Sequence, residues 1–438
     1  MKKTVLISAL LGLSALSFAT NGDNLIGVSP ASRGMGGIGV GMPVGATDSV
    51  FRNPAWMSYY KGFNMSFGGI VFLPEVKARQ RVFVDTDDAN SNPNAVVLFD
   101  SNKQTSQSKL FVVPEVGIVH SISDKLSLGL GAFGVSGMGV DYRNKLTNNQ
   151  PSLSNMHTNF QFMRVIPTLS YKVNEAISVA GAVHLAYGSL DMGAIMCRDQ
   201  DNDGVPGHTN CWNAGGGQSQ TYGLGFQVGL AYNMGDFVYA GATYQSPVAM
   251  TYKRVFDSNG NNIFEDLKLT QPQELAFGVG VKPVKNFKLG VDLRWINWSG
   301  AKGYKEFQWD DQWVFALGGE LKPVDKLALR AGYNYGKSPI KGGAKNVFNF
   351  NQNRIPDLSA PFSDFYVAWF NLIGFPAITE QHVTLGLGYE FTKNFGVDFA
   401  YKRAFNKKVR ATDNAGMGMF VEAENAQSAY SIGLNWKF

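Results

Sequence analysis

One local pattern occurs six times along this chain: a short polar turn joins two stretches in which apolar and polar residues alternate. The turns are Ser123-Asp124-Lys125, Val173-Asn174-Glu175, Met234-Gly235-Asp236, Val284-Lys285-Asn286, Val324-Asp325-Lys326 and Thr392-Lys393-Asn394. Alternation over about ten residues gives each stretch one apolar and one polar face, as a strand tilted across a bilayer requires. After the last turn, Phe395, Val397, Phe399 and Tyr401 share one face, and Gly396, Asp398, Ala400 and Lys402 share the other. The strand before it sets Val383, Leu385, Leu387 and Tyr389 against His382, Thr384, Gly386 and Gly388. A soluble β-sandwich alternates too, because one face covers its core and the other meets water, so alternation alone leaves both folds open.

The two ends of the chain favour the membrane. Lys2-Lys3, an apolar run from Val5 to Leu16 and then Ser17-Phe18-Ala19 read as a secretory signal covering residues 1–19. That run is too short to span as a helix, and no later segment supplies the ~20 apolar residues a spanning helix needs. From Ser428 to Phe438, Ile432, Leu434, Trp436 and Phe438 alternate with polar or small residues, and the chain stops on an aromatic, which resembles the assembly signal of bacterial outer-membrane barrels. Six hairpins with one opening strand, at about Phe63 to Lys77, and one closing strand predict an all-β, 14-stranded antiparallel transmembrane β-barrel over residues 61–438. Both ends and the short turns then face the periplasm. The long connections Gly188 to Gln220, Lys337 to Gln381 and Arg403 to Gln427 face outward.

Composition agrees. With 45% hydrophobic and 17% charged residues and a mean hydropathy of -0.10, the chain is neither a helical membrane protein nor a disordered one. The net charge of +5 is spread along the sequence, so no nucleic-acid footprint is visible. The basic phrase Lys402-Arg403, Lys407-Lys408 and Arg410 reads either as a neighbour of outer-membrane lipid and lipopolysaccharide phosphates or as a solvated loop. A monomer is expected.

Residues 20–60, between the signal and the first strand, are glycine-rich and lack strand pattern, so they are expected to fold inward as a hatch. Ser32-Arg33-Gly34-Met35-Gly36-Gly37-Ile38-Gly39-Val40, then Asp48, then Asn53-Pro54-Ala55 resembles the amino-terminal hatch of the FadL/TodX-type outer-membrane transporters. The resemblance continues in Gly134 to Tyr142, Pro167 to Asn174, Leu329 to Tyr333 and Phe375-Pro376-Ala377 with His382 to Gly386, while the outer loops match less well. It implies a 14-stranded barrel plugged by its own amino-terminal segment that passively carries long-chain fatty acids or aromatic hydrocarbons. In that family cargo is captured among the outer loops, moves to an internal pocket and leaves sideways at a kinked third strand.

A kink is visible in this sequence. The third strand places Leu126, Leu128, Leu130 and Ala132 on one face, after which Phe133 and Val135 put apolar residues on the opposite parity. Gly134 and Gly137 lie at the slip, where glycine marks a bulge, so Phe133, Gly134, Val135 and Gly137 are the expected lateral opening. Ordinary barrel curvature also recruits glycine there. Candidate substrate contacts are Phe365, Trp369, Phe370 and Phe375 in a greasy outer segment, which serves capture or packs on itself. Arg164 and Arg330 are candidate partners for an acidic head group.

Other motifs carry less. Gly34 to Gly39 satisfies G-x-G-x-x-G, but no strand precedes it and Pro43 follows, so a nucleotide site is not expected. Cys197 and Cys211, the only cysteines, share one exported loop; a disulfide is expected there over two free thiols. Between them Asp199, Asp201 and Asp203 precede Gly204 with calcium-loop spacing, yet position 12 is Asn210 rather than glutamate, which leaves a weak structural calcium site or a solvated acidic turn. No other cofactor is expected. There is no H-E-x-x-H or G-x-S-x-G sequence, so an enzyme is not expected. The alternatives to a hydrophobic-substrate transporter are a general diffusion porin and a surface barrel with an adhesive or enzymatic role.

Overall fold

The computed structural model describes residues 21–85, 96–197, 210–235, 237–340, 352–353, 355, 358–360, 362–413 and 416–438. The main sheet has sixteen strands, of which two short pieces, Val96–Asp100 and Gln104–Thr105, pair only with the outer end of the first strand. The other fourteen form the wall: β1 (Phe63–Asp85), β2 (Phe111–Ser121), β3 (Leu126–Asp141), β4 (His157–Lys172), β5 (Ile177–Gly193), β6 (Ser219–Met234), β7 (Val238–Gln245), β8 (Glu274–Val284), β9 (Phe287–Ile296), β10 (Gln312–Val324), β11 (Leu327–Gly336), β12 (Gln381–Glu390), β13 (Phe395–Thr412) and β14 (Phe420–Lys437). Each pairs antiparallel with its chain neighbours, and β1 pairs with β14 from Asn64 opposite Lys437 to Arg81 opposite Phe420, which closes the ring. All six polar turns join consecutive wall strands; Asp236 of the third turn lies outside the described residues.

The pleat separates two environments. On β12 Leu385 is 55% exposed, whereas Thr384 beside it is fully buried, so the apolar row faces lipid and the polar row faces the lumen. Three strands are longer than their hydropathy suggests. β1 continues to Asp85, and β13 and β14 occupy most of the Arg403 to Gln427 stretch read as a loop. Here the alternating positions carry charge: Arg410 pairs with Glu422 at 2.6 Å, Lys408 with Glu422 at 2.9 Å and Arg79 with Asp100 at 2.5 Å. A ladder standing in water needs no apolar face, so periodic hydropathy ends at the membrane while the hydrogen bonds go on.

Residues 21–60 lie inside the ring. Two short helices, α1 (Pro30–Gly34) and α2 (Ala46–Phe51), precede a 3-10 turn at Pro54–Tyr59. Ser29 starts α1 by accepting the Ser32 N–H on its hydroxyl, with Pro30 at the first helical position. Asn53 starts the 3-10 turn: its amide oxygen accepts the Ala55 N–H, and its amide nitrogen donates to the carbonyls of Val40 at 2.9 Å and Leu230 at 3.0 Å. The segment touches the wall with its backbone. Gly36 has φ +69°, and a Cβ there would stand 2.7 Å from the carbonyl oxygens of Leu317 and Tyr333.

Inward polar residues tie the hatch down. Asp292 accepts the N–H groups of Gly39, Val40 and Gly41 at 2.7, 2.8 and 2.9 Å. The end of the glycine-rich stretch with a nucleotide-site spacing therefore binds a carboxyl group of the wall itself. Thr384 accepts the Gly36 N–H at 2.9 Å and donates to the Gly34 carbonyl at 3.1 Å, and Asn334 donates to the Gly36 carbonyl at 3.1 Å. Arg33 meets Glu115 at 2.7 Å. Asp48 accepts the Ser29 hydroxyl at 2.5 Å, and burial, the larger effect, pushes its carboxyl up to about 6.

Candidate transport site

The wall is interrupted between β2 and β3. Their ladder runs from Ser121 opposite Ser127 to Glu115 opposite Phe133 and stops there, although β2 extends back to Phe111 and β3 on to Asp141. On its other side β3 stays paired with β4 through a bulge: Gly134 faces Met163 and Ser136 faces Phe162, leaving Val135 as the extra residue. From Phe133 to Met138 every residue is buried, so the lipid-facing alternation of Leu128 and Leu130 is lost as the strand bends inward. Phe133 meets Phe51 of the hatch edge-on at 6.1 Å. A Cβ on Gly134 would stand 2.4 Å from Val113 Cγ1 across the break, so only glycine fits the present spacing.

The start of the hatch fills the place β2 has vacated. The Leu25 N–H donates to the Val135 carbonyl at 2.8 Å, the Gly137 N–H donates to the Asp23 carbonyl at 3.0 Å, and the Ser136 hydroxyl donates to the Asn24 side chain at 2.5 Å. Backbone groups freed by the break are thus satisfied by a short segment from the lumen. Asp23 is fixed in turn by the Tyr304 hydroxyl and by Gln271, which donates to Asp23 at 3.4 Å and to Tyr304 at 2.8 Å. Burial outweighs these bonds and pushes the Asp23 carboxyl up to about 7.

Above the break lies a small apolar hollow with about 30 Å³ of free space. Met138, Phe160, Leu190 and Met192 from β3, β4 and β5 line it together with Leu267, Leu269, Tyr304, Phe307, Trp309, Asn371 and Phe375 from outer connections. Tyr304 therefore belongs both to the hollow and to the clamp on Asp23, and Met138 joins the hollow to the bent stretch of β3. One cluster of buried apolar side chains contains Trp309, Phe307 and Phe370 of the outer connections as well as Met138, Val135, Phe133, Phe51 and Met57.

The nominated residues are distributed unevenly around this site. Phe375 lines the hollow. Trp369 and Phe370 lie in an outer connection, at the junction of α3 (Asp364–Trp369) and a following π turn at Phe370–Gly374, where both are buried. Phe370 stacks on Phe362 at 5.4 Å and meets Phe256 edge-on at 5.5 Å, while Trp369 donates its indole N–H to Gln80 at 2.7 Å. Phe365 is half-buried against Tyr366. Most of the greasy segment thus packs on neighbouring loops. Arg164 sits on β4 opposite Phe133, bound to His184 and to Gln245 at 2.7 Å each. Arg330 is held by Glu320 at 2.6 Å and Asp398 at 2.5 Å and lines a different cavity from the hollow.

Sequence reasoning missed Met138, Phe160, Leu190, Tyr304, Phe307 and Trp309. The density of aromatics in Trp295 to Trp309 was the available signal. Cys197 and Cys211 are disulfide-bonded as expected. Asp199, Asp201 and Asp203 lie outside the described residues, and among the described residues no three candidate ligands gather to hold a metal.

The geometry defines a class: a fourteen-stranded outer-membrane barrel whose amino-terminal segment lies against the inner face of its wall and bonds to β3 where β2 leaves it. Residues 17–357 match the family described as outer membrane protein transport protein (OMPP1/FadL/TodX), and the chain belongs to that family. Outer membrane protein P1 of Haemophilus influenzae is 21% identical over 99% of this chain and 98% of its own length. The fold is that of a Pseudomonas aeruginosa FadL homologue (TM-score 0.68, 17% identity, 95% of this chain and 100% of that one). It is equally that of the Ralstonia pickettii toluene transporter TbuX (TM-score 0.65, 18% identity, 95% and 99%).

Proposed function

We propose that the chain carries hydrophobic small molecules, long-chain fatty acids or aromatic hydrocarbons, passively across the outer membrane. Cargo leaves the outer face into the hollow lined by Met138, Phe160 and Phe375, passes the Asp23 clamp and departs sideways through the break beside Phe133, Gly134, Val135 and Gly137. The observation that carries this reading is that the loop aromatics and the residues at the break belong to one buried apolar cluster. An apolar solute gains by leaving water for such a surface and gains nothing in a wet pore. Side exit keeps it out of the polar path, where the hatch is bonded to Asp292, Thr384 and Asn334.

A general diffusion porin fits less well, because residues 21–60 occupy the lumen with a buried, wall-bonded segment. Photolabelling separates the two readings. A diazirine-bearing fatty acid or alkylbenzene should mark Met138, Leu190 or Trp309, and excess unlabelled cargo should suppress the marking. Labelling confined to lipid-facing residues such as Leu385 would overturn the assignment.

A further inference from the structure

The outer ends of three neighbouring strands carry charges that the cargo path does not use. β14 lies between β13 and β1, and on all three the lipid-facing row turns from apolar to charged at the end away from the short turns. On β1, the exposed Phe67 and Val71 are followed on the same face by Glu75, Lys77, Arg79 and Arg81, with no shift of register against β14. On β14, the face that exposes Ile432 and Tyr430 continues to Glu424 and Glu422, and past the bulge of β13 these stand opposite Lys408 and Arg410. Elsewhere the row ends differently: on β9 and β10 it passes from Trp295 and Trp313 to Asn297 and Asp311. The cationic face therefore belongs to one sector of the wall.

Holding the strands together does not account for it. Glu422, 2% exposed, takes both Lys408 at 2.9 Å and Arg410 at 2.6 Å, and Asp100 takes Arg79 at 2.5 Å. Lys103 reaches Glu424 at 2.7 Å, and Arg403 meets Glu75 at 3.1 Å. Lys77 and Arg81 hydrogen-bond to no carboxylate among the described residues and act on Glu424 and Asp100 only through space. Seven cations thus face four carboxyls, whereas a ladder held by ion pairs needs equal numbers. The guanidinium groups of Arg410 and Arg79 also lie over the Phe420 ring, at 4.1 and 5.3 Å, so these side chains have little freedom left to lose when an anion binds. A guanidinium matches phosphate oxygens in pairs. We propose that this face of β13, β14 and β1 docks one lipopolysaccharide molecule, its lipid A phosphates on Lys77, Arg81, Lys408 and Arg410 and its acyl chains along Val71 and Tyr430. The two zones select the occupant: apolar rows take the chains, and the surplus of cations calls for several phosphates on one lipid, where a phosphatidylglycerol brings one. The inference does not depend on which cargo passes through the barrel.

Native mass spectrometry of the full-length protein in detergent tests this, with bisphosphorylated lipid A, its monophosphorylated form and phosphatidylglycerol as probes. The wild type should bind them in that order of affinity, and added salt should weaken lipid A most. Lys77→Gln with Arg81→Gln breaks no ion pair, so the barrel should fold as before while lipid A binding falls by about tenfold or more. Lys408→Gln with Arg410→Gln should lower it at least as far. Lys285→Gln with Lys393→Gln, which removes two exposed cations from the short turns at the other end, should leave it unchanged. Undiminished lipid A binding in the Lys77 and Arg81 variant, an equal loss in the turn variant, or a wild type that holds phosphatidylglycerol as tightly as lipid A would overturn the docking face.

Discussion

The wall is strongest where its two ends meet and weakest between two strands that follow each other in sequence. β1 and β14, from opposite ends of the chain, stay in register from Asn64 opposite Lys437 to Arg81 opposite Phe420. β2 and β3, joined by the short Ser123-Asp124-Lys125 turn, separate after Phe133. The difference lies in what each strand offers its neighbour. Along the seam every residue of β14 finds a partner on β1, and the charged outer stretch is held by pairs such as Arg403 with Glu75 at 3.1 Å. In β3 the glycines and the extra Val135 let the strand turn inward, and the hatch supplies the hydrogen bonds that β2 no longer makes. Sequence proximity makes a hairpin easy to start, but side-chain parity decides how far it runs.

The largest effect that would sharpen this contrast comes from the hatch itself. Asp292→Ala removes the acceptor of three buried N–H groups and a carboxylate beside Arg52. It is expected to destabilise the hatch by on the order of 3–5 kcal/mol. Protease access within residues 21–60 and ion conductance in planar bilayers should both rise while the barrel stays folded. An unchanged conductance would mean that the hatch does not depend on this carboxylate.

A smaller effect is expected from pH. The folded Asp23 carboxyl is raised from 3.8 to about 7, so between these values the folded chain keeps a proton that the unfolded chain releases. The hold of Asp23 is therefore complete below 3.8 and is lost as pH rises toward about 7. Hydrogen exchange at the Leu25 and Gly137 amides, corrected for intrinsic chemistry, should be faster at about pH 8 than at about pH 6. Asp23→Asn should remove the difference; its persistence would place the titrating group elsewhere. The smallest effect on transport is expected from Cys197→Ser with Cys211→Ser. The bridge closes a short outer loop, worth about 3 kcal/mol in the chain-entropy model, and neither cysteine lines the hollow. Uptake should match the wild type while the loop becomes easier to cleave.

Much of the wall was legible because lipid imposes a strict period of two: the six turns, the strand number and the facing of Val383 to Tyr389 follow from it. The kink was legible for the same reason, since Phe133 breaks that parity. The outer extensions of β1, β13 and β14 were not, because water imposes no such period. The hollow was hidden for a different reason. Met138, Leu190, Leu267 and Trp309 come from four separate stretches, and only closure of the ring brings them together.

The central claim, that cargo leaves through the break beside β3, is tested most directly by stapling the break shut. Val113 Cβ lies 3.8 Å from an ideal Cβ built on Gly134, the mean spacing of a disulfide. Val113→Cys with Gly134→Cys, in a background carrying Cys197→Ser and Cys211→Ser, can therefore be locked by oxidation and released by reductant. Oleate or toluene uptake should fall to background when the staple is oxidised and return when it is reduced. Undiminished uptake through the oxidised, fully cross-linked barrel would contradict the account.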